Sequence, residues 1–163
     1  MHLKTSGKPS KIPIKECKDA VKFYSKYLMT EKLFNSLNVR IIFEDFPRKA
    51  KEYAFCEWKF ANDRSRDFII TVDSKLSKKN ILLALAHEIV HVKQYAKGEL
   101  KDYLRSDKSK WQGTVFDLTK IDYWDQPWEI EAHGREIGLY IKFKRSQIKN
   151  VKPIKKDPIV VSL

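Results

Sequence analysis

Apolar positions in the first third of the chain recur at the spacing of an amphipathic helix. Between residues 16 and 37 they fall three or four residues apart, at Val21, Tyr24 and Leu28 and again beyond Thr30. This spacing puts apolar side chains on one face of a helix. The pattern predicts a first helix over this segment, with a break near Thr30.

Three segments then change to the pattern of β-strands. They are rich in β-branched and aromatic residues, and polar turns separate them. The segments are 39–46 (VRIIFEDF), 53–60 (YAFCEWKF) and 68–73 (FIITVD). We interpret them as the strands of a small antiparallel sheet.

A second helix is predicted over residues 78–97, where residues suited to capping stand at both ends. Ser77 can accept a hydrogen bond from the first turn, and Gly98 can end the helix in the left-handed conformation. Apolar residues form one stripe that can anchor this segment in a core while another face meets a cleft. Residues 99–126 follow without firm periodicity, and we interpret them as an ordered loop.

A third helix is predicted over residues 127–144. Pro127 suits the first turn of a helix, where a missing backbone N–H is tolerated. Ile130, Ile137 and Ile141 follow along one face, as in an amphipathic helix.

Length and composition indicate one domain of the α+β class. A chain of 163 residues with 42% hydrophobic residues can bury a core, and domains commonly span about 100–200 residues. Residues 1–15 carry Gly and Pro among lysines and predict a mobile basic arm outside the core. Residues 146–163 hold Pro153, Pro158 and a lysine cluster before a short apolar patch, which predicts a basic tail or, alternatively, an edge strand, and leaves residues 16–145 for the folded domain.

Net charge bears on partners more than on chemistry. The 33 Lys and Arg against 21 Asp and Glu give a formal charge of +12, which favours nucleic acid or acidic proteins as partners. A basic surface that only keeps the protein in solution explains the charge equally well.

Cys17 and Cys56 form no CxxC pair and are interpreted as buried thiols of a reducing compartment. The chain has no apolar run typical of a signal peptide or a membrane span, so we expect a soluble, cytoplasmic protein without a membrane partner.

Residues 87–91 read HEIVH and carry the clearest chemical signal. His87 and His91 stand four residues apart, so on a helix they project from one face and can bind one metal ion. Glu88 lies beside them, where its carboxylate can take a proton from water bound to Zn²⁺, whose pKa the metal lowers to about 7. The alternative to a metal site is that the two histidines only form hydrogen bonds in a core.

A catalytic zinc needs a third protein ligand and an open position. The helix predicted after Pro127 offers Glu129, Glu131 and His133. Glu129 and His133 share a face, four residues apart, whereas Glu131 is turned about 200° away from Glu129. Only one of the two on the shared face need bind the metal, and the other can orient a ligand by a hydrogen bond.

These residues resemble a known family. HEIVHVKQY, followed after a loop by YWDQPWEIEAHGRE, is similar to zincin-type metallopeptidases, close to the SprT-like proteins and small phage-encoded relatives, over about residues 68–143. In the gluzincin branch of zincins, the layout of EIEAH implies Glu129 as the third ligand, with His133 in place of an acidic residue. SprT-like enzymes use a His as third ligand, so His133 is the competitor of Glu129, which we prefer. The resemblance also implies that FIITVD is a sheet edge to which an extended peptide adds as a strand.

The predicted function is a zinc-dependent metallopeptidase that hydrolyses peptide bonds through a metal-activated water. Zn²⁺ would be held by His87, His91 and Glu129, with Glu88 as the general base. The substrate would be a protein or peptide, and the charge and the resemblance extend this to nucleic-acid-associated proteins in a phage-infected cell. The alternatives are a nucleic-acid-binding or host-interaction protein with a structural zinc and no catalysis, or zinc-dependent hydrolysis of a non-peptide substrate.

A side chain that stabilises the oxyanion of such a reaction is expected beside the metal. Tyr123, Tyr95 and Arg135 are candidates, and the sequence does not separate them. Trp124 and Trp128 are predicted to pack the third helix against the core, with the alternative that one of them lines a substrate pocket.

Overall fold

The computed structural model describes residues 1–47, 49, 53–58, 64–103 and 106–148. These residues form a mixture of helices and strands, which confirms the α+β class. In chain order the elements are β1 (His2–Ser6), α1 (Ile14–Leu28), α2 (Glu31–Asn35), β2 (Asn38–Glu44), β3 (Ala54–Trp58), β4 (Asp67–Asp73), α3 (Lys78–Lys97), β5 (Leu100–Tyr103), β6 (Lys108–Trp111), β7 (Thr114–Asp117), a 3-10 turn (Tyr123–Asp125) and α4 (Pro127–Gln147).

The larger sheet is mixed, so the prediction of an antiparallel sheet is wrong. Within the described residues its strand order is β1-β2-β4-β3, with β1, β2 and β4 parallel and β3 antiparallel to β4. The helices α1 and α2 carry the chain from β1 to β2, and a crossover of this kind makes neighbouring strands parallel. The strand FIITVD is β4 and lies inside the sheet. The expectation that it forms the free edge is therefore also wrong, because β3 takes that place.

The N-terminal segment is part of the fold, which overturns the prediction of a mobile arm over residues 1–15. The whole of β1 pairs with β2. Gly7 follows with a φ of 72°, and a Cβ at this position would clash with the backbone carbonyl of Phe43. Ile12 is buried in the core. Polar and lysine residues suit a strand at the edge of a sheet, so a composition that resembles an arm also fits an edge strand.

The helix boundaries follow local signals in the sequence. The first helical segment breaks between α1 and α2, where the Thr30 side chain caps α2. α3 has the predicted bounds: Ser77 accepts a hydrogen bond from a first-turn N–H, and Gly98 ends the helix with a φ of 73°. α3 packs against α1, α4 and the larger sheet, so it lies at the centre of the core. No described helix is both long enough and apolar enough to cross a membrane.

The segment interpreted as a loop contains a second sheet. Its described residues form three short antiparallel strands in the order β5-β6-β7. Strands of four residues are too short to show a clear alternation of apolar and polar positions. Trp111 and Phe116 of this sheet pack against Trp128, which confirms the packing role of Trp128. Trp124 is 66% exposed, so the packing role predicted for it is wrong.

α4 begins at Pro127 as predicted but turns a different face to the core. The isoleucines on the predicted apolar face are exposed: Ile130, Ile137 and Ile141. Ala132, Leu139 and Phe143 are buried in their place, together with Glu129. The helix is therefore oriented by Leu139 and Phe143 together with the small and polar residues that meet α3. It extends to Gln147, and residues 149–163 of the predicted tail lie outside the described residues.

Phe143→Ala should lower the free energy of unfolding by about 3–5 kcal/mol, because Phe143 is 1% exposed and packs against Phe23 and Tyr24. Ile137→Ala is the matched control on the same helix. Its side chain is 58% exposed, so the change should stay within about 0.5 kcal/mol. Urea denaturation of both variants measures the difference. A larger loss in Ile137→Ala would contradict the orientation of α4.

Candidate metal centre

The two histidines of the HEIVH segment point their ring nitrogens at one another. His87 and His91 are one turn apart on α3 and both are buried. Their Nε2 atoms lie 3.1 Å apart. Two imidazole nitrogens at this distance need either a shared proton or a metal ion between them, because two lone pairs repel each other. The structure therefore brings both predicted ligands to one point.

Glu129 of α4 completes the cluster. One carboxylate oxygen lies 3.3 Å from His87 Nε2 and the other lies 3.4 Å from His91 Nε2. A tetrahedral zinc with bonds of about 2.0–2.1 Å holds neighbouring ligand atoms about 3.3–3.4 Å apart. The donors thus lie about as far apart as the ligands of one zinc ion, with the two distances to Glu129 measured to different carboxylate oxygens, and nitrogen and carboxylate donors suit that ion. Their geometry and chemistry fit zinc.

The other ring nitrogen of each histidine is fixed by a hydrogen bond. His87 Nδ1 lies 2.9 Å from a Glu136 carboxylate oxygen, and His91 Nδ1 lies 2.8 Å from Gln94 Oε1. Both partners accept, so each Nδ1 donates and each Nε2 is left for a metal. Sequence reasoning missed Glu136 and Gln94. The available signal was spacing, since Gln94 follows His91 by three residues and Glu136 follows Glu129 by seven.

Charges within the cluster compensate one another. Burial opposes the charged form of His87, but the hydrogen bonds that His87 donates to Glu129 and Glu136 outweigh it and raise the pKa of His87 to about 10. Burial likewise opposes the charge of Glu129, yet its hydrogen bonds to both histidines hold its pKa well below the usual range. The carboxylate is thus already ionised as a ligand must be, and a cation would displace protons from the imidazoles.

Glu88 lies beside this cluster in the same cleft. Its side chain is buried, and the cleft is lined by Glu88 together with the three candidate ligands. Cys56 of β3 lies on the opposite wall, where burial and the negative charge of Glu88 raise the pKa of its thiol well above the usual value. Cys17 is fully buried elsewhere in the core, and both cysteines are free thiols.

His133 lies next to the cluster without joining it on the metal side. Its ring centroid is 4.5 Å from that of His87. However, His133 Nε2 lies 3.4 Å from the Tyr123 hydroxyl, and His133 Nδ1 lies 3.4 Å from Glu136. Glu129, in contrast, meets both other ligands. The geometry favours Glu129 over His133 as the third ligand.

The candidates for oxyanion stabilisation are separated by their positions. The Tyr123 hydroxyl donates to Glu129 over 2.7 Å and lies at the cluster. The Tyr95 hydroxyl donates to Asp102, and Arg135 donates to Glu131. Tyr123 is therefore the candidate that stands beside the proposed ligands.

Comparisons with protein-family models, with curated proteins and with solved structures find no match for this chain. The case for a function therefore depends on the residues and their geometry.

Gln94→Leu should weaken zinc binding by about 10–100-fold, the range for a residue that orients a metal ligand. The variant leaves His91 Nδ1 without its acceptor and the Trp128 carbonyl without the Gln94 amide donor. Competition with a chromogenic chelator measures the affinity, after circular dichroism has shown that the variant folds. Gln147→Leu, at the exposed end of α4, is the control and should bind zinc normally. Equal affinity in both variants would contradict the orienting role of Gln94.

Glu129→Gln should reduce zinc affinity by more than about 100-fold, beyond the loss expected for a residue that only orients a ligand. The neutral amide is a poor zinc ligand compared with a carboxylate. His133→Ala should lose less than about tenfold, because His133 does not face His91. The same chelator competition compares the two variants. A larger loss in His133→Ala would reverse the assignment of the third ligand.

Proposed function

We propose that the protein is a zinc-dependent metallopeptidase with a zincin-like architecture, related to the gluzincin and SprT-like enzymes. The observation that supports this most is the convergence of His87, His91 and Glu129 beside Glu88, at the spacing of zinc ligands. The order of the elements also agrees, since a sheet precedes the helix with both histidines and the helix with the glutamate follows.

In this proposal each side chain has a distinct task. His87, His91 and Glu129 hold Zn²⁺, which supplies Lewis acidity that makes water acidic and polarises the substrate carbonyl. Glu88 takes a proton from the attacking water and passes it to the nitrogen of the leaving amine. Tyr123 donates a hydrogen bond to the oxygen that becomes negative, from its place beside Glu129. The carbonyl carbon gains a bond to the water oxygen and loses its bond to nitrogen.

The edge strand β3 supplies a place for an extended peptide. Ala54, Phe55 and Cys56 of β3 line the same cleft as the candidate ligands, and within the described residues β3 pairs along one side only, with β4. A peptide that adds to the other side would form main-chain hydrogen bonds independent of its sequence. It would run along α3, past the histidines. An extended peptide therefore fits this cleft better than a compact substrate that cannot pair with β3.

A closed, structural zinc site is less well supported. Structural sites generally have four protein ligands. Among the described residues His133 is a further imidazole donor beside the cluster, grouped with His87 and Glu136, and its ring nitrogens face Tyr123 and Glu136. The cluster instead borders a cleft of about 860 Å³. Three ligands and an accessible fourth side are the arrangement typical of catalytic zinc.

Glu88→Gln should retain its fold and one bound zinc but lose hydrolysis of an unfolded protein such as casein by about 10²–10⁴-fold, since an amide cannot accept the proton. Peptide release from the zinc-loaded protein measures activity, and metal analysis measures zinc. Glu44→Gln, at the exposed end of β2, is the matched control and should keep full activity.

His91→Ala is the contrasting variant in the same assay, because it should lose zinc as well as activity, whereas Glu88→Gln should lose activity alone. The His91→Ala change should abolish stoichiometric zinc binding together with hydrolysis, because a zinc site needs both histidines. Undiminished turnover in Glu88→Gln would remove Glu88 from its role. If the wild-type protein binds zinc but cleaves no peptide, the alternative of a non-catalytic zinc protein gains support.

A further inference from the structure

The cleft has a charge opposite to that of the chain as a whole. None of the 21 described residues that line it is Lys or Arg, although 33 of the 163 residues of the chain are. Four of those 21 are carboxylates: Glu88, Asp102, Glu129 and Glu136. Even with the two positive charges of a zinc ion, this set leaves the described lining of the cleft negative. The excess positive charge of the protein therefore lies outside the described lining.

Aromatic side chains are concentrated around the same cleft. Six aromatic residues of the described chain are exposed, and four of them line it: Tyr53, Phe55, Tyr123 and Trp124. Trp124 is the most exposed of the four, at 66%. Exposed rings near carboxylates are a favourable environment for cations, because the face of an aromatic ring attracts positive charge. Rings also bind apolar stems such as those of lysine and arginine.

Asp102 is the carboxylate of the cleft that lies outside the metal cluster. Its Oδ2 accepts a hydrogen bond of 2.7 Å from the Tyr95 hydroxyl, and its Oδ1 accepts one from the Ser109 hydroxyl. Both donors are neutral, so these bonds orient the carboxylate without cancelling its charge. Tyr95 follows His91 by one turn on α3. Asp102 is therefore held by a residue one helical turn from His91, in the lining of the same cleft.

We propose that this cleft selects peptides that carry a basic side chain near the bond to be cleaved, with Asp102 and the aromatic rim as the groups that recognise it. This inference rests on the proposed function and names its substrate class. The inference also assigns nucleic-acid binding and peptide hydrolysis to different surfaces, because the negative cleft repels a polyanion such as nucleic acid. Nucleic acid that binds the basic outer surface would not enter the site.

Affinity for hydroxamate-capped peptides tests the proposal without requiring turnover. The hydroxamate binds zinc, and three peptides of identical length differ only in one residue near it, which is Lys, Gln or Glu. Isothermal titration calorimetry of the zinc-loaded protein should give the order Lys, Gln, Glu, with about tenfold between the first and the last. Asp102→Asn should reduce this ratio to below about threefold. Asp107→Asn removes an exposed carboxylate that is not among those lining the cleft and should keep the ratio.

Several results would overturn the selectivity. They are equal or tighter binding of the Glu peptide, an unchanged ratio in Asp102→Asn, or displacement of the Lys peptide by a single-stranded oligonucleotide. Cleavage of uncapped peptides, measured in parallel, distinguishes the two proposals. Cleavage without a charge preference would overturn the selectivity and leave the peptidase. A charge preference without cleavage would support the selectivity and count against the peptidase.

Discussion

The docking of α4 on α3 is the interaction on which the candidate site depends. Gln94 on α3 is completely buried and accepts from His91 while its amide donates to the Trp128 carbonyl and to Glu131 on α4. Beside it, Lys93 is 6% exposed and forms an ion pair of 2.7 Å with Glu131. Lys93 also pairs with Glu99 at 2.6 Å, so these side chains form a network of ion pairs and hydrogen bonds that holds the helices in one register. That register sets the position of Glu129 against both histidines.

Features of the site that depend on local sequence could be predicted, whereas those that depend on the docking could not. The spacing of His87 and His91 and the caps of α3 are properties of a single helix, so the sequence specifies them directly. The orientation of α4 is a property of two helices. Ile130, Ile137 and Ile141 indicate an inner face by hydrophobicity, but the contacts of Glu129 and Glu131 with α3 place those isoleucines in solvent. The buried face of α4 combines polar groups that have partners with apolar residues, since Ala132, Leu139 and Phe143 are buried beside Glu129.

Strand pairing shows the same limit at longer range. The bounds predicted for β2, β3 and β4 differ from the observed ones by at most two positions, because alternation and β-branched residues mark these strands locally. The relative direction of the strands was predicted wrongly, since it follows from the path of α1 and α2 between β1 and β2. The edge position of β3 beside the site follows from that path too. The part of the cleft that would hold a peptide could therefore not be predicted from the sequence, although the candidate metal ligands could.

The burial of a carboxylate and the exposure of isoleucines on α4 also bear on the proposed chemistry. Proteins that follow every packing rule bury isoleucine and expose glutamate, and departures from those rules are expected at functional sites. Here α4 exposes three isoleucines and buries Glu129, which accepts from Tyr123 and contacts both histidines. A carboxylate in this position loses solvation that only its partners restore. The protonated imidazoles of His87 and His91 restore part of it, and the zinc ion of the proposed function would take the place of those protons.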